Sequence, residues 1–161
     1  MKNKLSVISL FSGCGGMDLG FEGGFSVPSQ SINATMHPDW IAEYLGAHKI
    51  LLKETFFKTV FANDIRPSAK LAWVRHFSER GLDNAEEIFH LNSIVDLVKH
   101  AKNGKGSVFP KHADILTGGF PCQDFSVAGK RKGFNSHKSH SGNFLSTTED
   151  PTVENRGMLY M

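Results

Sequence analysis

Cysteine is nearly absent: Cys14 and Cys122 are the only two in 161 residues. That excludes the disulfide framework of a small secreted domain and fits a reducing compartment, where a lone thiol can serve as a reagent. Long apolar runs are missing too. No stretch approaches the ~18 residues of a membrane-spanning helix, and Met1-Lys2-Asn3-Lys4 leads into only Leu5 to Phe11 before glycines intervene. Neither a membrane span nor a signal peptide fits, and a cytoplasmic location is expected. Charge of one sign is not in excess: a formal net charge of +2 with a pI near 8.6 does not by itself point to nucleic acid. There is no internal repeat. What is there, 40% hydrophobic and 21% charged residues at a mean hydropathy of -0.24, is the balance of one globular domain large enough to bury a core.

Leu5-Ser6-Val7-Ile8-Ser9-Leu10-Phe11 is a short apolar run ending in Ser12-Gly13-Cys14-Gly15-Gly16. It reads as a buried strand, a tight glycine turn and a helix from Met17, the opening of a nucleotide-binding α/β domain. Residues 25–58 read as an insertion carrying its own short helix around Trp40 to Leu45. A second strand is predicted over Thr59 to Asn63, with Asp64 following it, and then a helix from Pro67 to about Arg80. On that helix Ala69, Ala72, Trp73 and Phe77 recur at helical spacing, and the two aromatics are assigned to core packing. A third strand is predicted at Ile88-Phe89-His90, a helix over Ile94 to Ala101, and a further strand over Ala113 to Gly118. Strand and helix alternating in this way specify a doubly wound, mostly parallel α/β sheet with ligands at the carboxyl ends of its strands. Residues from about 128 to 156, rich in Gly, Ser, Lys, His and Asn, are expected to form a mobile surface loop.

Every chemically suggestive residue falls at such a strand end. Without Cβ atoms at Gly13, Gly15 and Gly16, a ligand can lie against the backbone at a helix N-terminus. The dinucleotide fingerprint would require glycine at position 18, where Asp18 stands, and an acidic residue ~20 positions later, so NAD and FAD fit poorly. Asp64 is placed to chelate ribose hydroxyls with its two oxygens, although an Asp ahead of a helix with Pro at its first turn is equally an ordinary cap. Gly118-Gly119-Phe120-Pro121-Cys122-Gln123-Asp124-Phe125-Ser126 sets one thiol at a strand end. A helix N-terminus beside it would lower the thiol pKa and favour the nucleophilic thiolate, while Pro121 fixes φ just before it. His137 and His140, an isolated pair, supply too few ligands for a metal, and none is expected.

Phe11-Ser12-Gly13-Cys14-Gly15-Gly16-Met17-Asp18-Leu19-Gly20-Phe21-Glu22, Asn63-Asp64, Gly119-Phe120-Pro121-Cys122-Gln123 with Phe125-Ser126, and Arg156-Gly157-Met158-Leu159 resemble, in order, the amino-terminal motifs of C5-cytosine DNA methyltransferases. The resemblance implies the Rossmann-like fold of S-adenosylmethionine-dependent methyltransferases over residues 1–161. It implies transfer of a methyl group from S-adenosyl-L-methionine to C5 of cytosine in double-stranded DNA, within a bacterial restriction-modification system. Phe11, Gly13, Gly15, Gly16 and Asp64 would hold the cofactor, with Ile65, Ser93 and Ile94 about its adenine and Pro121 and Leu159 closing the pocket. Cys122 would attack C6 of a cytosine flipped out of the duplex. Gln123, Ser126 and Arg156 match family positions near that nucleotide, and Lys130, Arg131 and Lys132 could meet phosphates.

Ser93 stands where the family usually carries an acidic residue. The family's Glu-Asn-Val element, Gln-x-Arg-x-Arg element and target recognition region have no counterpart in the 161 residues. The chain is therefore expected to be inactive alone and to be completed by a second polypeptide or further sequence. The alternative is a non-catalytic fragment or subunit that only binds S-adenosylmethionine or DNA.

Overall fold

The computed structural model describes residues 4–104 and 106–120, together with 138, 139 and 143. Its chain runs β1 (Leu5–Leu10), α1 (Gly16–Glu22), β2 (Ser26–Pro28), β3 (Ile41–Tyr44), β4 (Lys49–Leu52), β5 (Phe57–Asp64), α2 (Pro67–Glu79), α3 (Ala85–Ile88), β6 (Phe89–Leu91), α4 (Ile94–Lys102) and β7 (Ile115–Gly118). The main sheet has the order β6-β5-β1-β7 and is parallel throughout. From β1 the chain steps outward to β5 and β6, then crosses back to β7 on the other side of β1. The order reverses between β1 and β7, which opens a crevice beyond their carboxyl ends. This is the doubly wound, Rossmann-like architecture anticipated from the sequence.

A central parallel strand must be covered on both faces, and β5 is buried accordingly at Thr59, Phe61, Ala62, Asn63 and Asp64. On one face Ala62 and Phe89 meet Ala69, Trp73 and Phe77 of α2 and Ala85 and Ile88 of α3. Trp73 and Phe77 are both buried and stack at 4.1 Å. Truncating either to Ala would cost about 3–5 kcal/mol. On the other face Phe61 stacks on the His90 ring at 4.6 Å and packs against Phe109. Burial, with help from nearby Lys70, holds His90 below the usual imidazole range.

Residues 26–52 carry a separate antiparallel sheet of order β2-β4-β3. The short helix expected around Trp40 to Leu45 is not formed. Pro38–Trp40 is a single 3-10 turn, and Ile41–Tyr44 is a strand whose pairing with β4 overrides local helical preference. This sheet joins the body near the amino-terminal end of β5, through Gly24 N–H to Lys53 O and Thr55 N–H to Glu22 O. A Cβ at Gly23, where φ is +65°, would stand 2.2 Å from the Lys53 carbonyl, so that junction tolerates only glycine. Smaller differences are boundary shifts. Asp64 ends β5 and does not follow it, β6 begins at Phe89, and β7 begins at Ile115.

Candidate functional site at the carboxyl edge of the sheet

The chain leaves β1 through Phe11, whose φ of 55° is a left-handed conformation uncommon in a residue with a side chain. That reversal feeds the glycine turn. Ser12 then ties the turn to β5: its N–H donates to Asn63 O at 2.8 Å, its hydroxyl donates to Ser9 O at 2.8 Å, and the same oxygen accepts the Asn63 N–H at 3.1 Å. Gly13 adopts φ +56° and donates its N–H to Asp64 Oδ2 at 3.1 Å. The other Asp64 oxygen accepts the Arg66 N–H at 3.0 Å, with the Arg66 guanidinium 3.6 Å away.

The plain-cap reading of Asp64 is revised, since Asp64 ends β5 two residues ahead of the helix cap. It organises the entry to α2, but as an Asx-type turn, because the helix N-cap residue is Arg66. It also binds the glycine turn, leaving lone pairs on each oxygen for a further donor.

The three glycines divide. A Cβ at Gly13 or Gly16 would meet nothing within 4 Å, whereas at Gly15, with φ +89°, it would lie 2.7 Å from Trp73 Cδ1 and 2.9 Å from Phe77 Cε2. Gly15 is therefore glycine because an indole packs beneath it, while Gly13 and Gly16 keep the open side of the turn clear. Trp73 is held in turn by Asp18, which is fully buried and accepts the indole N–H at 2.6 Å. Burial pushes the Asp18 carboxyl above its ordinary range, against hydrogen bonds from Ser9 and Trp73, and the neighbouring Glu22 charge adds to the rise.

At the next strand end Asn63, 1% exposed, donates its side-chain amide to both His90 O at 2.9 Å and Asn92 O at 2.8 Å. Ser93 follows as the buried N-cap residue of α4, and half-buried Ile94 begins that helix. Ile65 presents an exposed apolar side chain beside Asp64. On the far side of the switch point, β7 is fixed by Asp114, whose Oδ2 accepts both the Ser6 N–H and the Ser6 hydroxyl at 2.7 Å. These bonds, with His112 alongside, hold the Asp114 carboxyl below its usual range. From there β7 delivers Gly118-Gly119-Phe120 to the crevice.

Phe11, Gly13, Gly16, Asp64, Ile65, Ser93 and Ile94 thus share one edge of the sheet, with Gly15 beneath it. Pro121, Cys122, Gln123, Ser126, Lys130, Arg131, Lys132, Arg156 and Leu159 lie outside the described residues, as do His137 and His140. Among the described residues no group of three or more His, Cys, Asp or Glu could hold a metal, and no helix is long and apolar enough to cross a membrane. From the sequence, Ser12 and Asn63 are only members of the matched motifs, and Asp18 only disfavours a dinucleotide. Polarity alone is a weak signal for them, since the same elements carry Ser6 and Ser9 in β1, Glu22 in α1, and Lys58 and Thr59 in β5.

Chemically, the turn suits a ligand without phosphates. In a pyrophosphate site the glycine-turn N–H groups point at the anion. Here the Gly13 N–H is taken by a carboxylate and the Gly15 N–H by Ser12 O, so an incoming phosphate would meet negative charge in place of a donor. A neutral ribose or a cationic group meets no such opposition.

A doubly wound α/β domain with a glycine turn after β1 and an acidic residue at the end of the neighbouring β5 has the architecture of the Rossmann-like methyltransferases. The chain belongs to the C-5 cytosine-specific DNA methylase family, whose sequence model matches residues 41–144. It is similar to the Type II methyltransferase M.BsuRI of Bacillus subtilis, 32% identical over 133 residues that make up 80% of this chain and 25% of the relative. The Type II methyltransferase M.BspRI of Lysinibacillus sphaericus is 34% identical over 80% of this chain and 26% of its own length. The Type II methyltransferase M.Bsp6I of Bacillus sp. (strain RFL6) is 30% identical over 84% of this chain and 28% of its own. The chain spans about a quarter of the length of these curated relatives. No solved structure matches it.

Proposed function

We propose that this chain provides the cofactor half-site and the nucleophile of a DNA (cytosine-5-)-methyltransferase, acting on double-stranded DNA in the cytoplasm as part of a restriction-modification system. The observation that carries the reading is the pairing of the Gly13 N–H with Asp64 across the carboxyl ends of β1 and β5, with β7 on the other side of β1 leading into Phe120-Pro121-Cys122-Gln123. S-adenosylmethionine, when bound, supplies an electrophilic methyl group on a cationic sulfur. Gly13 and Gly16 would give it clearance, Asp64 would accept from its ribose, and Ile65, Ser93 and Ile94 would flank its adenine. Phe11, Pro121 and Leu159 would complete the pocket.

In this reading the Cys122 thiolate adds to C6 of a flipped cytosine, which makes C5 nucleophilic enough to take the methyl group. Loss of the C5 proton then restores the ring and expels the sulfur. Gln123, Ser126 and Arg156 lie near the flipped nucleotide, while Lys130, Arg131 and Lys132 meet phosphates. Those phosphate contacts position the protein without reading sequence. Stabilisation of the cytosine ring during attack and recognition of the target site fall to sequence beyond these 161 residues, as a continuation or as a second polypeptide.

Calorimetric titration of the chain with S-adenosylmethionine tests the cofactor reading, and absence of binding at millimolar ligand would refute it. The nucleophile is tested with DNA carrying 5-fluorocytosine, in which the C5 proton cannot be lost, mixed with the chain and a complementing carboxyl-terminal portion. A covalent adduct is expected with the native chain, and an adduct formed equally by Cys122→Ser would overturn the assignment.

A further inference from the structure

We propose that Asn63 is a positioning residue that sets how the site discriminates the base of its nucleoside ligand, by latching the loop that carries Ser93 and Ile94 to the strand end that carries Asp64. The inference rests on the cofactor reading above and extends it to a residue that makes no ligand contact of its own.

Asn63 links three strand ends at once. Its main chain exchanges hydrogen bonds with Ser12 on the β1 side: its carbonyl accepts the Ser12 N–H and its N–H donates to the Ser12 hydroxyl. Its side chain works in the opposite direction, both amide hydrogens donating to carbonyls on the β6 side, those of His90 and Asn92. Only a planar group with two forked donors can serve two carbonyls from one position, which is the property of an amide among uncharged side chains. Asn92 immediately precedes Ser93, whose carbonyl accepts the Leu97 N–H at 3.1 Å to begin α4. The regular pairing of β5 with β6 covers only Ala62 to Asp64 against Phe89 to Leu91. Beyond Leu91, the bond to Asn92 carries the registration of this loop with β5 one residue further. The ribose end of the site, Asp64, is the next residue along β5. This side chain therefore joins the ribose end of the site to its adenine end.

Removing the latch should let the Ser93–Ile94 loop shift while the glycine turn, held separately by Ser12 and Asp64, stays in place. The result is a selective loss. Affinity for S-adenosylhomocysteine should fall about tenfold, the scale of two neutral hydrogen bonds, and discrimination against S-inosylhomocysteine, which has an oxo group in place of the adenine amino group, should shrink with it. A purely structural role would weaken both ligands by the same factor.

The experiment compares the two ligands by calorimetry on the native chain, on Asn63→Asp, which turns both donors into acceptors, and on the milder Asn63→Ser. Amide hydrogen exchange at Leu97 in the ligand-free proteins is read alongside. The expected result is a reduced adenine-to-hypoxanthine affinity ratio, with faster exchange at Leu97 in whichever variants fold. An unchanged ratio, or unchanged exchange in folded Asn63→Ser, would overturn the positioning role while leaving the cofactor reading intact. If the native chain binds neither ligand, the cofactor reading falls and this inference falls with it. If Asn63→Asp does not fold, Asn63→Ser alone decides the matter.

Discussion

The three glycines of the turn make a sharp test, because the structure assigns them different reasons for lacking a side chain. At Gly15 a methyl group meets two costs. The φ of +89° places an L-residue in the left-handed region, about 1–2 kcal/mol. The new carbon would also stand 2.7 Å from Trp73 Cδ1 and 2.9 Å from Phe77 Cε2, inside a core where overpacking costs about 1–3 kcal/mol. Reduced unfolded-state entropy returns about 0.4–1 kcal/mol. Gly15→Ala should therefore destabilise by about 1–5 kcal/mol. Gly13→Ala, with φ +56° and no neighbour within 4 Å, should lose only the conformational part, about 1 kcal/mol. Gly16→Ala, at the first position of α1 with ordinary φ and open space, should be neutral or stabilising by up to about 1 kcal/mol. Urea unfolding at constant slope gives these differences directly. Should Gly15→Ala prove no costlier than Gly13→Ala, the indole would not be what excludes a side chain there. The same variants report on the ligand, because Gly16→Ala should keep its fold and lose S-adenosylmethionine affinity.

Four further outcomes follow from the same geometry. The Asp18 carboxyl titrates above its ordinary range in the folded chain, so the folded state binds more protons than the unfolded one and stability falls as pH rises from about 4 toward the raised value. Asp18→Asn should flatten that slope in urea midpoints taken across pH, and an unchanged slope would refute the assignment. Asp114 is shifted the other way, so its contribution is present above its unfolded pKa and lost as pH falls through the lower folded value; Ser6→Ala, which removes one of its donors, should reduce that acid dependence. Asp64→Asn should weaken S-adenosylhomocysteine by about 10–100-fold, the scale of a hydrogen bond to a charged group, and calorimetry showing no change would remove Asp64 from the site. Replacing residues 26–51 with a two-residue Asn-Gly turn should leave cofactor affinity unchanged, because the chain enters and leaves that sheet at adjacent points, with Leu52 N–H on Phe25 O and Gly24 N–H on Lys53 O.

The parallel sheet was legible because each of its strands is a short apolar run closed by a glycine or a polar residue, and because Trp73 and Phe77 repeat at helical spacing. The segment at 41–44 was not. Ile41-Ala42-Glu43-Tyr44 has no strand alternation of its own, and only its cross-strand partner Ile50-Leu51-Leu52 makes it extended. At the carboxyl edge, the glycine turn and Asp64 were legible as features at strand ends, whereas Ser93, the N-cap residue of α4, entered only through the family resemblance. The division of labour among the glycines was not legible, since it depends on Trp73, which lies 58 positions beyond Gly15 in the chain and beneath it in space. Asn63 was hidden for the same reason: its two acceptors are main-chain carbonyls, and a backbone acceptor leaves no mark on the sequence.

Asp18 shows how one substitution in a familiar turn changes both chemistry and packing. A third glycine there would let the helix approach the strands closely, as dinucleotide sites require. In this chain the position holds a carboxylate whose partner is the indole that fills the space beneath Gly15. Burying that carboxylate is costly and the bond to Trp73 offsets part of the cost, so Asp18, Trp73 and Gly15 form a coupled unit in which a change at one is felt by the others. The unit keeps the turn in one conformation from below. From above, Asp64 occupies the Gly13 N–H that a phosphate would otherwise claim. The two carboxylates together leave this turn without the free Gly13 N–H that a pyrophosphate site uses, and fix its conformation from beneath.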